Sequence, residues 1–190
     1  MNRGGIQQVD GVATSTTINS GGTEIVSTEG AAIGTTVLSG GTLFAIGGTV
    51  DVAAAVKGGS ILIGNGTVDI QQASADNVTF QSGGTGGLEL AVASAYTGKV
   101  TGFGSNNDQF IDFVNINSSG ATVSYTSSTS NSGVLKVTSG GHTLASIHMV
   151  GHYTTADFHP SNDGTGHLEI TDPPVVQQKT GNAPALTAQC

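Results

Sequence analysis

Paired glycines recur at Gly4-Gly5, Gly21-Gly22, Gly40-Gly41 and Gly58-Gly59, in steps of 17, 19 and 18 residues, and again at Gly83-Gly84 after a step of 25. A period of 18 to 19 is too short for a pair of packed helices and fits one coil built from short strands and turns. Glycine supplies the positive φ of a sharp corner without a Cβ penalty. The phrases TTINSGGTEIV, TTVLSGGTLFA, AAVKGGSILIG and VTFQSGGTGGL align around the pairs. This alignment predicts an inward ladder of Ile18, Val37, Val56 and Val78 and a second ladder of Ile25, Phe44, Leu62 and Leu88. Five such coils, stacked at about 4.8 Å, span about 24 Å.

Composition supports an ordered β protein. So much Gly, Ser and Thr would suit a disordered chain, but such chains are rich in proline and charge, whereas here only four prolines occur and 9 % of residues are charged. Val, Ile and Thr are abundant, which favours strands joined by glycine turns. The 13 acids face five bases, Arg3, Lys57, Lys99, Lys136 and Lys179, scattered along the chain. No basic surface is available to displace counterions from a nucleic acid, so we expect no nucleic-acid partner. No stretch approaches 18 consecutive apolar residues, so we expect no membrane insertion. MNRGGIQQV lacks the apolar run of a secretory leader, and GGIQQV already reads as repeat, so the chain reads as an excerpt of something longer.

After residue 90 the phrase changes. The segments 99–116, 121–127, 133–140, 142–151 and 156–172 read as strands separated by Gly, Asn and Ser turns, with Val134, Lys136 and Thr138 alternating against Leu135 and Val137. A stacked solenoid needs its last coil covered, because bare edges and apolar core would otherwise be exposed. The expected fold is therefore all-β: a right-handed β-solenoid (β-helix) over residues 1–92, a β-rich capping module over 93–174, and a flexible tail over 175–190. The single Cys190 lies in that tail and can form no internal disulfide.

GGTEIVSTEGAAIGTTVLSGGTLFAI resembles the strand-loop-strand repeat in passenger regions of autotransporters and other large secreted bacterial adhesin-like proteins. TGFGSNNDQFIDFVNI and the segment ending DGTGHLEITDPP are similar to the β-rich module that often follows such repeats. The resemblance covers about residues 4–174. It implies export to the cell surface or medium, a β-solenoid stalk, and a role in adhesion or surface display.

Catalytic chemistry is poorly represented. GTVDV (48–52) and GTVDI (66–70) place Asp51 and Asp69 one coil apart, near the carboxylate spacing of a retaining glycosidase. Both alternate with the inward positions Val50, Val52, Val68 and Ile70, so they are expected to face solvent. They remain the weak binding candidates, with no catalytic residue assigned. All five histidines lie between 142 and 167. His148 and His152 fall on one face of an extended strand, and His142, His159 and His167 could approach from neighbouring strands. SNNDQ and SNDGTG are oxygen-rich, which brings Asp108 and Asp163 forward as calcium ligands. Asp163-Gly164 also has the sequence of a hairpin turn. Neither a complete metal motif nor a phosphate loop nor a GxSxG elbow is present. We therefore expect no cofactor and no resident metal; His148, His152, Asp108 and Asp163 are the positions at which calcium or a transition metal would be held.

These observations lead to the expectation of a non-enzymatic extracellular structural and adhesive segment. Its partners would be cell-surface or matrix glycans or proteins, with possible self-association through coil ends. The alternatives are a polysaccharide-degrading β-helix enzyme using Asp51 and Asp69, and a self-assembling fibre-forming rod.

Overall fold

The computed structural model describes residues 4–52, 58–105 and 108–172. The strands run β1 (Ile6–Val9), β2 (Val12–Thr14), β3 (Thr17–Ile18), β4 (Thr23–Val26), β5 (Ala31–Val37), β6 (Thr42–Ala45) and β7 (Thr49–Val52). After Gly58-Gly59 come β8 (Ser60–Ile63), β9 (Thr67–Ile70), β10 (Asn77–Phe80) and β11 (Gly87–Leu90). A short 3-10 turn, Ala93–Ala95, leads to β12 (Lys99–Thr101) and β13 (Phe110–Asn117). The described residues continue through β14 (Ala121–Thr129), β15 (Ser132–Ser139), β16 (His142–Val150), β17 (His159–Asn162) and β18 (His167–Thr171).

The molecule is a β-solenoid whose coils feed two sheets alternately. The first sheet has the order β1-β4-β6-β8-β10-β12-β16-β15-β14 and the second β17-β18-β13-β11-β9-β7-β5-β2. Pairing is parallel from β1 through β12 to β16 and from β2 through β13. The remaining pairs, β16-β15-β14 and β13-β18-β17, are antiparallel. Both sheets continue across residues 92 and 93.

Alternation along each strand turns one apolar set inward. Leu43, Ile61, Val78, Val100 and Met149 stack in register on the first sheet, and Ala32, Val50, Val68, Leu88, Ile111 and Ile170 on the second. All are buried in one continuous core. Five aromatic rings, Phe80, Phe103, Tyr125, Tyr153 and Phe158, join the later strands, with Phe103 and Phe158 stacked at 6.3 Å. Tyr153 Oη donates to Phe103 O at 2.8 Å.

The glycine pairs form corners as expected: Gly4, Gly21, Gly40, Gly58 and Gly83 all have φ between +76° and +86°. A second glycine row escaped the sequence pattern. Gly30, Gly48, Gly66 and Gly86 line the opposite corner, where each coil's backbone touches the next; a Cβ on Gly48 would lie 2.1 Å from Gly30 O.

Both expected ladders need correction. Ile18 and Val37 are buried and in register, but Val56 lies outside the described residues, and Val78 belongs to the row of Leu43 and Ile61. The cause is a change of corner: the earlier pairs precede β4, β6 and β8, whereas Gly83-Gly84 follows β10. Asp76 takes the vacated corner, buried, with Oδ1 accepting from Gly59 N at 2.9 Å and Oδ2 from Ser74 Oγ at 3.0 Å. Ile25, Phe44 and Leu62 do stack, but on the outer face and only half-buried, and Leu88 sits in the other sheet. The inward partner of Ile25's neighbourhood is instead Glu24, fully buried, with Oε2 accepting from Thr35 Oγ1 at 3.1 Å.

Candidate functional site

The outer face of the second sheet carries an acidic row. Asp51 pairs with Asp69, Asp69 with Glu89, Glu89 with Asp112 and Asp112 with Glu169, each directly opposite the next. The cause is local: in TVDV, TVDI, GLEL, FIDF and HLEI the acid stands between two inward apolar residues, so in-register stacking must superimpose the carboxylates. The pairing of Asp51 with Asp69 follows the spacing in the sequence; the extension through Glu89, Asp112 and Glu169 does not, because the later strands lack the glycine phrase that sets register.

Like charges one strand apart repel, and the flanking strands restrict water. Burial, followed by neighbouring charge, pushes the Glu89 carboxyl above its ordinary range. Burial also raises Asp69, against a hydrogen bond from Gln71. Asp51 and Asp69 are half-buried rather than freely solvated, and Asp69 Oδ1 is buried without a hydrogen-bond partner.

The row is most enclosed at Asp112, which is 7 % exposed. Burial and then the charge of Asp163 push its carboxyl up to about 6. Its Oδ1 is buried and unpartnered. The β17–β18 hairpin turn brings two further groups there: one oxygen each of Asp112 and Asp163 and a ring nitrogen of His167 lie within 4.8 Å of one another. Asp112 and His167 meet because Glu169 lies opposite Asp112, and His167, two residues earlier, shares its face; the bulge between Phe113 and Asn117 sets the local register. An open depression of about 360 Å³, lined by Val114, Asn115, Asn117, Thr165, Gly166 and His167, adjoins the histidine.

Asp163 is preorganised by its own turn. Oδ1 accepts from the amides of Thr165 at 2.8 Å, Gly166 at 3.0 Å and His167 at 3.0 Å. Oδ2 accepts from Thr165 Oγ1 and lies 3.2 Å from His167 Nδ1. These bonds, the Thr165 hydroxyl first, hold its carboxyl down at about 2. The turn is the hairpin expected from Asp163-Gly164, with Gly164 and Gly166 at positive φ.

The other metal candidates are placed differently. His148 is exposed on β16 and His152 is exposed beyond its end, past Gly151. Among the described residues neither belongs to a group of three possible ligands, and nor does Asp108. Of the four candidates only Asp163 joins such a group, and it does so with Asp112 and His167. Asp112 was hidden in the sequence because nothing in FIDFVNI marks which strand lies beside it. No protein-family model, curated protein or solved structure matches the chain.

Proposed function

We infer that the chain is a non-enzymatic structural and adhesive segment, a stiff display rod for a bacterial cell surface or the surrounding medium. The observation that carries this reading is the outer face of the first sheet. There Thr23, Thr42, Ser60 and Asn77 form one in-register row and Ile25, Phe44 and Leu62 another. Parallel polar and apolar rows at about 4.8 Å intervals offer many equivalent weak contacts to an extended glycan or protein, and such contacts gain strength by multivalency. The resemblance to autotransporter passenger repeats points the same way.

The test is incubation of the purified chain with neutral and anionic polysaccharides, measuring retention and newly released reducing ends together. Retention without cleavage, weakened by Phe44→Ala, is the expected result. Release of reducing ends that stops in the Asp51→Asn, Asp69→Asn double variant would instead make this an enzyme.

End-to-end self-association is a second reading, favoured by one observation. Ile6 and Val12 are 74 % and 70 % exposed on β1 and β2, the terminal strands of the two parallel stacks. Among the described residues no strand pairs with the outer edges of β1 and β2, and edges with apolar side chains invite another strand. Light scattering over a concentration series should then show growth that Ile6→Lys and Val12→Lys suppress; a monomer throughout would remove this reading.

A further inference from the structure

We propose that Asp112, Asp163 and His167 bind one divalent transition-metal ion of the zinc or manganese kind, at the junction between the solenoid strand β13 and the terminal hairpin β17–β18. This goes beyond the adhesive reading and stands independently of it. The three ligand atoms already lie within 4.8 Å of one another, so a central ion can reach all three with small side-chain adjustments. Asp112 supplies the observation that a surface cluster of acids would lack: an enclosed carboxylate, 7 % exposed, with Oδ1 buried and no hydrogen-bond partner. A buried polar atom of that kind is costly unless something satisfies it.

The charge around the cluster favours a cation. Glu89 and Glu169 flank Asp112 in register, so four carboxylates converge with Asp163 included. Within the cluster, His167 Nδ1 lies 3.2 Å from Asp163 Oδ2. A divalent ion between His167 Nδ1 and Asp163 Oδ2 would bridge these two atoms while neutralising the carboxylates around them. One imidazole with two carboxylates favours first-row transition ions over calcium and magnesium, which take oxygen ligands. The depression beside His167 gives solvent, and hence the ion, a route in. Once bound, the ion would tie the hairpin to the rod, because its ligands come from both β13 and the β17–β18 turn.

The test is calorimetric titration of the untagged, chelator-stripped full chain with zinc and, separately, manganese, followed by melting curves with and without the ion. One saturable equivalent of at least one ion and a raised Tm are expected. Asp112→Asn and His167→Ala should each weaken binding by about tenfold or more. His148→Ala and Asp51→Asn should leave it unchanged. His167 is the more exposed ligand, so its variant carries the test even if Asp112→Asn fails to fold. Cobalt should give visible absorption bands that His167→Ala abolishes. No saturable binding of either ion, binding that survives His167→Ala, or binding of calcium alone would overturn the proposal.

Discussion

At the scale of single residues, backbone contact explains more of this fold than side-chain identity. Gly48 lies where a Cβ would meet Gly30 O at 2.1 Å. Gly48→Ala should cost about 2–4 kcal/mol, read by chemical denaturation, because a backbone oxygen cannot rotate away. Asp172 makes a separate prediction. It is 2 % exposed with Oδ1 unpartnered, and burial, then the charge of Asp157, raises its carboxyl to about 7. The folded state therefore holds the proton more tightly than the unfolded chain, and stability is lost as pH rises from about 4 to about 7. Asp172→Asn should flatten that slope and raise stability at pH 8 by on the order of 2 kcal/mol. An unchanged pH profile would show that another group dominates. Asp172 could not have been singled out in the sequence: nothing in EITDPP marks its acid as buried, and only the packing encloses it.

Strands and coils show where the sequence was legible and where it was not. Positive-φ corners followed from the glycine pairs, and the inward set of β7, β9 and β15 followed from alternation. The first sheet did not, because in TEIV and TLFA apolar residues occupy both faces, so hydrophobicity alone cannot say which side is in. Register decides it: Leu43 is fully buried while Phe44 is half-exposed. Leu43→Asp should therefore unfold the chain or cost about 3–5 kcal/mol, whereas Phe44→Asp should cost about 1 kcal/mol or less. Equal losses in thermal melts would reverse the assigned faces. The acidic row adds an electrostatic prediction. Asp51, Asp69 and Glu89 repel across single strand spacings, so Glu89→Gln should raise the Tm at low ionic strength, and added salt should shrink the gain.

For the whole molecule, the parallel stack and the antiparallel terminal strands share two continuous sheets of nine strands each, the second counting β3 beside β5. That continuity makes the outer rows long enough to act as surfaces, and it brings Asp163 and His167, from the end of the chain, beside an acid on the solenoid. The repeat period made the coils readable; the junction was not readable, because strand order there depends on pairing between segments with no shared phrase. Thr14, Ile33, Asp51, Asp69, Glu89, Asp112 and Glu169 lie successively opposite one another. The acidic row and the metal cluster both depend on that single register. Pulsed electron spin resonance between labels at Thr14→Cys and Glu169→Cys, in a Cys190→Ser background, measures it directly. Six strand spacings predict a narrow distribution centred at about 29 Å. A broad distribution extending towards the roughly 70 Å of an unstructured chain of that length, or a sharp peak well away from the predicted distance, would contradict the stacked register.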